Sequence, residues 1–211
     1  LGYARIPGLY SEAQVAGWRL VTAAVHEKGG KIFAQLMHTG RVAHALNLPS
    51  GGEIVGPTDA VCPGDMYTDA EGPKPHGAPR AMTAADIAAA VAEYATAARN
   101  AVSAGFDGVE LHGANGYLIE QFLNANVNTR TDAYGGSPEH RNRFALEVTR
   151  AVVAAIGPQK VGIRISPYGV FNGTGAFEGV DAQYLALVKG LSELAIAYIH
   201  VVDHSSMGTP P

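Results

Sequence analysis

Four segments of the chain repeat one pattern, in which apolar residues recur every three or four positions and a short, mainly apolar run follows. The spacing of three to four predicts an amphipathic helix, and the short run predicts a buried strand. The predicted strands cover residues 31–37, 106–112, 161–166 and 197–202. The predicted helices begin at residues whose side chains are suited to cap a helix N-terminus, namely Ser11, Thr83, Ser137 and Asp181.

Alternating helices and apolar strands are typical of a parallel sheet with right-handed crossovers. Such a sheet is either an open, doubly wound sheet or part of a (β/α)8 TIM barrel. No G-x-G-x-x-G motif follows any predicted strand, which disfavours the dinucleotide-binding open sheet. We therefore predict an α/β fold in which the chain supplies about four central strand–helix units of a TIM barrel, with the strands adjacent in sequence order. Residues 1–211 are expected to form a single domain, with a long irregular excursion at about 40–82 that is rich in Gly and Pro.

Composition excludes several classes of function. The chain has 15 basic and 19 acidic residues and a net charge of −4, so it lacks the basic surface that nucleic-acid binding requires. No apolar run approaches the ~18 residues of a membrane span, and the N-terminus does not resemble a signal peptide. The single cysteine, Cys62, excludes an internal disulfide and a multi-cysteine zinc site. We expect a cytoplasmic protein that binds neither nucleic acid nor membranes.

Polar residues lie near the carboxyl ends of three predicted strands. Gln35, His112 and Arg164 each follow apolar neighbours, and ligands bind at this edge of parallel α/β sheets. Each residue alone is more often a hydrogen-bonded buried group, but three on successive strands favour a shared site. An amide, an imidazole and a guanidinium suit a flat heteroaromatic ring, whereas paired carboxylates of the glycosidase type are absent.

The second strand runs into the sequence His112-Gly-Ala-Asn115-Gly-Tyr117. His112 and Asn115 could direct donors at one substrate oxygen, with Tyr117 supplying a proton nearby. The same residues could also provide a zinc ligand or a helix cap. A metal is disfavoured because no second His, Cys or carboxylate stands at ligand spacing around His112, so we predict no metal site.

Four blocks of this sequence, in order, resemble the old yellow enzyme family of FMN-dependent ene-reductases. The blocks are Gln-Leu-Met-His-Thr-Gly-Arg (35–41), His-Gly-Ala-Asn-Gly-Tyr-Leu-Ile-Glu-Gln-Phe-Leu (112–123), Asn-Thr-Arg-Thr-Asp-Ala-Tyr-Gly-Gly-Ser (128–137) and Arg-Ile-Ser-Pro-Tyr-Gly-Val-Phe-Asn (164–172). The resemblance covers essentially the whole chain apart from residues 59–76.

The resemblance implies a role for each matching residue. Gln35 would bind the flavin pyrimidine edge, and Arg164 would face the N1–C2 carbonyl region and stabilise negative charge on the reduced ring. His112 and Asn115 would bind the carbonyl or nitro oxygen of an electron-poor alkene, and Tyr117 would donate a proton to its α-carbon. The remaining residues expected to line the substrate pocket are Tyr3, Met37, Phe171 and Asn172. Many relatives have tryptophan at the position of Met37, so their substrate preferences do not transfer.

The implied activity is transfer of hydride from NADH or NADPH through FMN to a small electron-poor alkene, by a protein that could form homo-oligomers. The same site would also suit a nitroester, quinone or dienoyl thioester reductase, and a non-catalytic fragment that does not retain flavin stays an alternative. An aldolase-like or phosphosugar barrel is disfavoured, because the lysines that border strands, Lys31 and Lys160, lie at the strands' N-terminal ends.

The resemblance also implies that further parts of the barrel lie outside the chain. Two strands of the family would precede Leu1 and two would follow Pro211, together with the loops that bind the FMN phosphate. We therefore expect the isolated 211-residue chain to bind FMN poorly.

Overall fold

A computed structural model describes residues 1–209 of the chain. Its helices and strands alternate as the hydrophobic pattern predicts, with four short strands added between the first strand and the second helix. The elements in chain order are α1 (Glu12–Glu27), β1 (Phe33–Leu36), β2 (Val55–Gly56), β3 (Asp65–Thr68), β4 (Gly72–Pro75), β5 (Arg80–Ala81), α2 (Ala84–Ser103), β6 (Gly108–Gly113), α3 (Leu118–Leu123), α4 (Pro138–Ile156), β7 (Val161–Ile165), α5 (Val180–Ser192) and β8 (Tyr198–Val201).

The main sheet has four parallel strands in the order β1-β6-β7-β8. This arrangement confirms the prediction that the four apolar strands are parallel neighbours in sequence order. The register sets Gln35 opposite Glu110 and aligns His112, Arg164 and His200 across three strands. Polar residues from different strands therefore form rows across one face of the sheet.

The two faces of the sheet differ because side chains alternate along each strand. Alternate residues such as Leu36, Leu111 and Ile163 are buried in the core, where α2, α4 and α5 also contribute buried residues. The intervening residues, including Gln35 and Arg164, point to the opposite face. The core thus orients the polar rows away from the helices.

Three of the four predicted helix caps are confirmed. The hydroxyls of Ser11, Thr83 and Ser137 each accept the backbone N–H three residues on. The prediction that Asp181 caps the last helix is wrong. Gly179, with φ at +77°, occupies the N-cap of α5, and Asp181 lies in the first turn. A carboxylate in the first turn still favours the positive end of the helix dipole, and it accepts a hydrogen bond from the Tyr168 hydroxyl.

The segment at 40–82 lies outside the main sheet, but it is not irregular throughout. Strands β3 and β4 form an antiparallel hairpin, and β2 pairs with β5 in parallel. These strands have two to four residues each, which is too short for a clear alternating pattern. Helix α3 was also not predicted, because it has only six residues and no exposed face: all six are buried, including the polar Glu120 and Gln121.

Within residues 1–209, no helix combines the length and apolar character needed to cross a membrane. The same residues contain no group of three or more His, Cys, Asp or Glu side chains placed to hold a metal ion.

Candidate active site

A tight turn after β6 presents several of the predicted site residues. The backbone of Asn115 and Gly116 is left-handed, with φ at +57° and +78°. Asparagine tolerates this conformation better than most residues. At Gly116 an added Cβ would lie 2.6 Å from both the Asn172 Cβ and the Phe171 carbonyl oxygen. The turn therefore requires glycine at this position for both conformation and space.

His112 lies at the end of β6 and is only 4% exposed. Its ring packs edge-on against Tyr117, with the centroids 4.9 Å apart. Burial, reinforced by the positive charge of Arg164, lowers the pKa of His112 to about 4. At neutral pH the imidazole is therefore uncharged, with one N–H available as a hydrogen-bond donor.

Tyr117 is joined to Tyr3, which lies near the start of the chain. Their hydroxyl oxygens are 2.9 Å apart and the ring centroids 6.1 Å apart. Burial and the hydrogen bond to Tyr117 raise the pKa of Tyr3. Both rings pack against a small apolar cluster of Val42, Cys62 and Met66.

A second polar group lies on the same face of the sheet, where Gln35 and Glu110 form the row next to that of His112 and His200. The Gln35 amide donates to a Glu110 oxygen at 2.7 Å, and His200 Nδ1 lies 3.1 Å from the other oxygen. Burial alone would raise the pKa of Glu110, but these hydrogen bonds outweigh burial and lower it. The sequence analysis did not identify Glu110 or His200 as site residues. Glu110 lies two positions before His112 on the same strand, so its side chain points to the same face of the sheet, and this spacing could have indicated it.

Two other predicted residues occupy the rim of the turn. The Asn172 amide donates to the Asn115 carbonyl oxygen at 2.8 Å, so this side chain supports the turn. Phe171 is 40% exposed and packs edge-on against His204. Met37, with Gln35, lines a cleft of about 1030 Å³ along β1.

Nine buried side-chain polar atoms have no hydrogen-bond partner among the described residues, and three of them belong to predicted site residues: His112 Nδ1, Asn115 Oδ1 and Arg164 Nε. Buried polar atoms are almost always paired in proteins, with protein or water. Arg164 stands beside His112 in the sheet register. Unpaired atoms on neighbouring residues point to a polar ligand at this edge. An imidazole, an amide and a guanidinium suit a flat heteroaromatic ring with carbonyl groups and a small oxygen-bearing substrate.

Residues 1–209 match the NADH:flavin oxidoreductase / NADH oxidase family. The chain is 46% identical, over 98% of its length, to a chanoclavine-I aldehyde reductase of Penicillium roqueforti, of which it covers 54%. It is 50% identical, over 81% of its length, to a probable flavin mononucleotide-dependent alkene reductase of Leishmania infantum, of which it covers 48%. The chain thus spans about half the length of these curated relatives.

Among solved structures, an old yellow enzyme homologue from Zymomonas mobilis superimposes with a TM-score of 0.91. It is 41% identical to the chain, with 95% of this chain and 56% of that chain covered. This similarity confirms the predicted fold, since the four parallel strands form an arc of a (β/α)8 barrel that the described residues do not close.

Proposed function

This chain belongs to the NADH:flavin oxidoreductase / NADH oxidase family, and we propose that the protein carrying it is an FMN-dependent ene-reductase. The proposed substrates are small alkenes activated by a carbonyl or nitro group, and the proposed electron donor is NADH or NADPH. The observation that carries this proposal is the grouping of His112, Asn115 and Tyr117, in which the His112 ring packs against Tyr117 and its buried Nδ1 has no partner among the described residues.

His112 and Asn115 are proposed to bind the oxygen of the activating group. The imidazole is neutral because burial lowers its pKa to about 4, so it donates through an N–H without carrying charge. The Asn115 amide supplies a second N–H donor. Two donors on one oxygen withdraw electron density from the conjugated alkene and stabilise the enolate-like transition state.

Tyr117 is proposed to donate the proton to the α-carbon. Its ring lies against His112, so its hydroxyl is close to the groups that bind the substrate oxygen. A positioned phenol can transfer a proton as the α-carbon gains negative charge. The Tyr3 hydroxyl lies 2.9 Å from the Tyr117 hydroxyl and helps to hold it in place.

Gln35 and Arg164 are the residues proposed to hold FMN, which supplies the hydride when bound. The Arg164 guanidinium is permanently charged and would stabilise negative charge on the reduced ring. Glu110 accepts one N–H of the Gln35 amide, which leaves the amide oxygen and the second N–H free to face a ring. Strand register sets these groups on the face that also carries His112.

The test is to purify the protein carrying this chain, measure its flavin absorbance and assay it with NADH and NADPH. Enones, nitroalkenes, nitroesters and quinones should be compared, because all could be reduced at this site. His112→Ala and Asn115→Ala should each lower kcat/KM for an enone by about 100-fold or more, as expected for loss of an oxyanion donor. His26→Ala, a histidine on α1 bound to Asp107, serves as the control. Absence of bound flavin, or undiminished enone reduction in both site variants, would contradict the proposal.

A further inference from the structure

All four backbone polar groups of the Asn115–Gly116 turn are bound by side chains. The turn also has the backbone hydrogen bond common in turns, from the Tyr117 N–H to the Ala114 oxygen at 3.4 Å, but the polar groups of its two central residues need other partners. The contacts are Asn115 N–H to Ser166 Oγ at 3.0 Å, Asn172 Nδ2 to the Asn115 oxygen at 2.8 Å, Gly116 N–H to Glu120 Oε2 at 2.6 Å, and Gln121 Nε2 to the Gly116 oxygen at 2.8 Å.

Glu120 is the ionisable member of this set, and it touches both halves of the turn. One carboxylate oxygen accepts the Gly116 N–H, and the other accepts the Ser166 hydroxyl at 2.8 Å. Ser166 in turn accepts the Asn115 N–H. The carboxylate thus binds Gly116 directly and Asn115 through one hydroxyl.

The cost of this arrangement indicates that it has a purpose beyond packing. Glu120 is 0% exposed and lies on α3, where Leu118, Ile119 and Phe122 are equally buried. Burial raises the pKa of Glu120 to about 7, even though Gly116 and Ser166 favour the charged form. An apolar side chain at this position would avoid the cost of removing a carboxylate from water.

We propose that Glu120 is a positioning residue, whose two hydrogen bonds hold the left-handed turn that directs Asn115 and Tyr117 toward the substrate. This inference rests on the proposed function, because it assumes that Asn115 binds the substrate oxygen. It adds a residue that touches neither substrate nor cofactor and acts through Asn115.

The backbone conformation explains why such support is needed. A non-glycine residue is disfavoured at the positive φ of Asn115 and persists only where its surroundings enforce it. Without the Glu120 carboxylate, the buried Gly116 N–H loses its acceptor and the Ser166 hydroxyl is free to rotate. The turn then relaxes toward other conformations, and the side chains of Asn115 and Tyr117 move with it.

The first experiment measures the turn itself and needs no enzymatic activity. Hydrogen exchange of the Asn115 and Gly116 amides should be compared in the wild-type protein, Glu120→Leu and Glu120→Gln. Loss of the acceptor in Glu120→Leu should speed exchange by about 10–100-fold, the factor expected for a buried donor left unpaired. Glu120→Gln retains one acceptor oxygen and should give an intermediate rate. Thr149→Val, which removes an equally buried hydroxyl on α4 that bonds to Ala145, should leave these two amides unchanged.

The second experiment tests whether Glu120 acts through Asn115. Glu120→Leu should raise KM for an enone about tenfold or more, and Ser166→Ala should reproduce part of this rise. In an Asn115→Ala background, Glu120→Leu should cause no further rise in KM. A residue that only supports the core would add the same effect in both backgrounds.

The outcomes separate this inference from the proposed function. Unchanged exchange in Glu120→Leu, or an equal effect of that variant on KM with and without Asn115, overturns the positioning role. Faster exchange in a protein that reduces no alkene would instead leave the turn contact intact and contradict the proposed function. If Glu120→Leu does not fold, the same exchange and KM measurements on Ser166→Ala provide the test, because Ser166 links Glu120 to the Asn115 N–H.

Discussion

The hydroxyl oxygens of Tyr3 and Tyr117 lie 2.9 Å apart although 114 positions separate the two residues in the chain. Tyr3 belongs to the segment before α1, whereas Tyr117 follows β6. Tyr117, the phenol proposed as the proton donor, thus contacts Tyr3 through its hydroxyl and His112 through its ring. The contact with Tyr3 also links the start of the chain to the site, so changes at Tyr3 should reach the chemistry through Tyr117.

Tyr117→Phe should separate the two half-reactions of the proposed enzyme. Reduction of bound flavin by NADH or NADPH should be nearly unchanged, because it requires no proton at the α-carbon. Reoxidation by an enone should slow by about 10²–10⁴-fold, the usual cost of removing a positioned general acid. Stopped-flow absorbance of the flavin measures both steps.

Two comparisons support that measurement. Quinones should be spared in Tyr117→Phe, because their reduced oxygens take protons from solvent. Tyr3→Phe removes the neighbouring hydroxyl but keeps the donor, so its effect on enone reoxidation should be the smaller. Equal losses in both half-reactions of Tyr117→Phe would assign the proton to another source.

Arg164 should affect the flavin rather than the substrate. Arg164→Ala removes the positive charge beside His112 and should lower the flavin content of the purified protein or slow flavin reduction. Arg164→Lys keeps a charge but loses the planar fork of donors, so it should restore part of either property. Flavin absorbance per protein and the rate of reduction by NADPH are the measurements, and unchanged values in Arg164→Ala would remove the residue from the cofactor site.

Gly116→Ala should destabilise the protein more than an alanine at another left-handed glycine. Alanine at a positive φ costs about 1–2 kcal/mol on conformation alone. At Gly116 the new methyl group also meets Asn172 and Phe171 at 2.6 Å, which adds about 1–3 kcal/mol of overpacking. Gly29, with φ at +72° and no atom within 4 Å of an added Cβ, is the matched control. Equal free energies of unfolding for Gly116→Ala and Gly29→Ala, measured with denaturant, would contradict the close approach.

Glu120 should make stability depend on pH in a definite direction. Burial raises its pKa to about 7 in the folded chain, against about 4.3 for a glutamate in water. The folded state therefore binds more protons between these values. The stabilisation is fully present below the lower value and is lost as the pH rises through 7.

The scale of this effect is about 1.4 kcal/mol for each unit by which the two pKa values differ. Denaturant unfolding of the wild-type protein and Glu120→Gln should be compared from about pH 4.5 to 8. The difference in their free energies of unfolding should change across this range, with the wild type losing stability relative to the variant as the pH rises. A difference that is constant with pH would mean that the carboxyl does not titrate there.

Much of the fold was predictable because it depends on local patterns. Capping residues such as Ser11 and Thr83 form hydrogen bonds three residues away, and the apolar spacing of helices and strands is read within one element. The parity of β6 and β7 likewise determines that His112 and Arg164 share a face. Two local features were not predicted, since the six residues of α3 are all buried and the short strands at 55–81 have too few residues to show a period.

The resemblance to the old yellow enzymes, read from four sequence blocks, is confirmed by the match of residues 1–209 to the flavin oxidoreductase family. The roles of Gln35, His112, Asn115, Tyr117 and Arg164 stay predictions until the variants are measured. Those blocks identify residue types in order along the chain, but they do not give the distances between side chains in the folded protein.

The sequence by itself determined the order of the four main helices and strands, the parallel sheet and the set of polar residues at one edge. These features follow from periodicities and from neighbours a few positions apart. Only the tertiary structure decided that Tyr3 meets Tyr117, that Gln35 is held by Glu110, and that Glu120 supports the turn at Gly116. The contacts of Tyr3 and Gln35 join residues far apart in the chain, and that of Glu120 involves a turn whose Asn115 N–H is bound by Ser166, directly after β7. Packing of the whole chain brings such groups within hydrogen-bonding distance, and no local pattern records that packing.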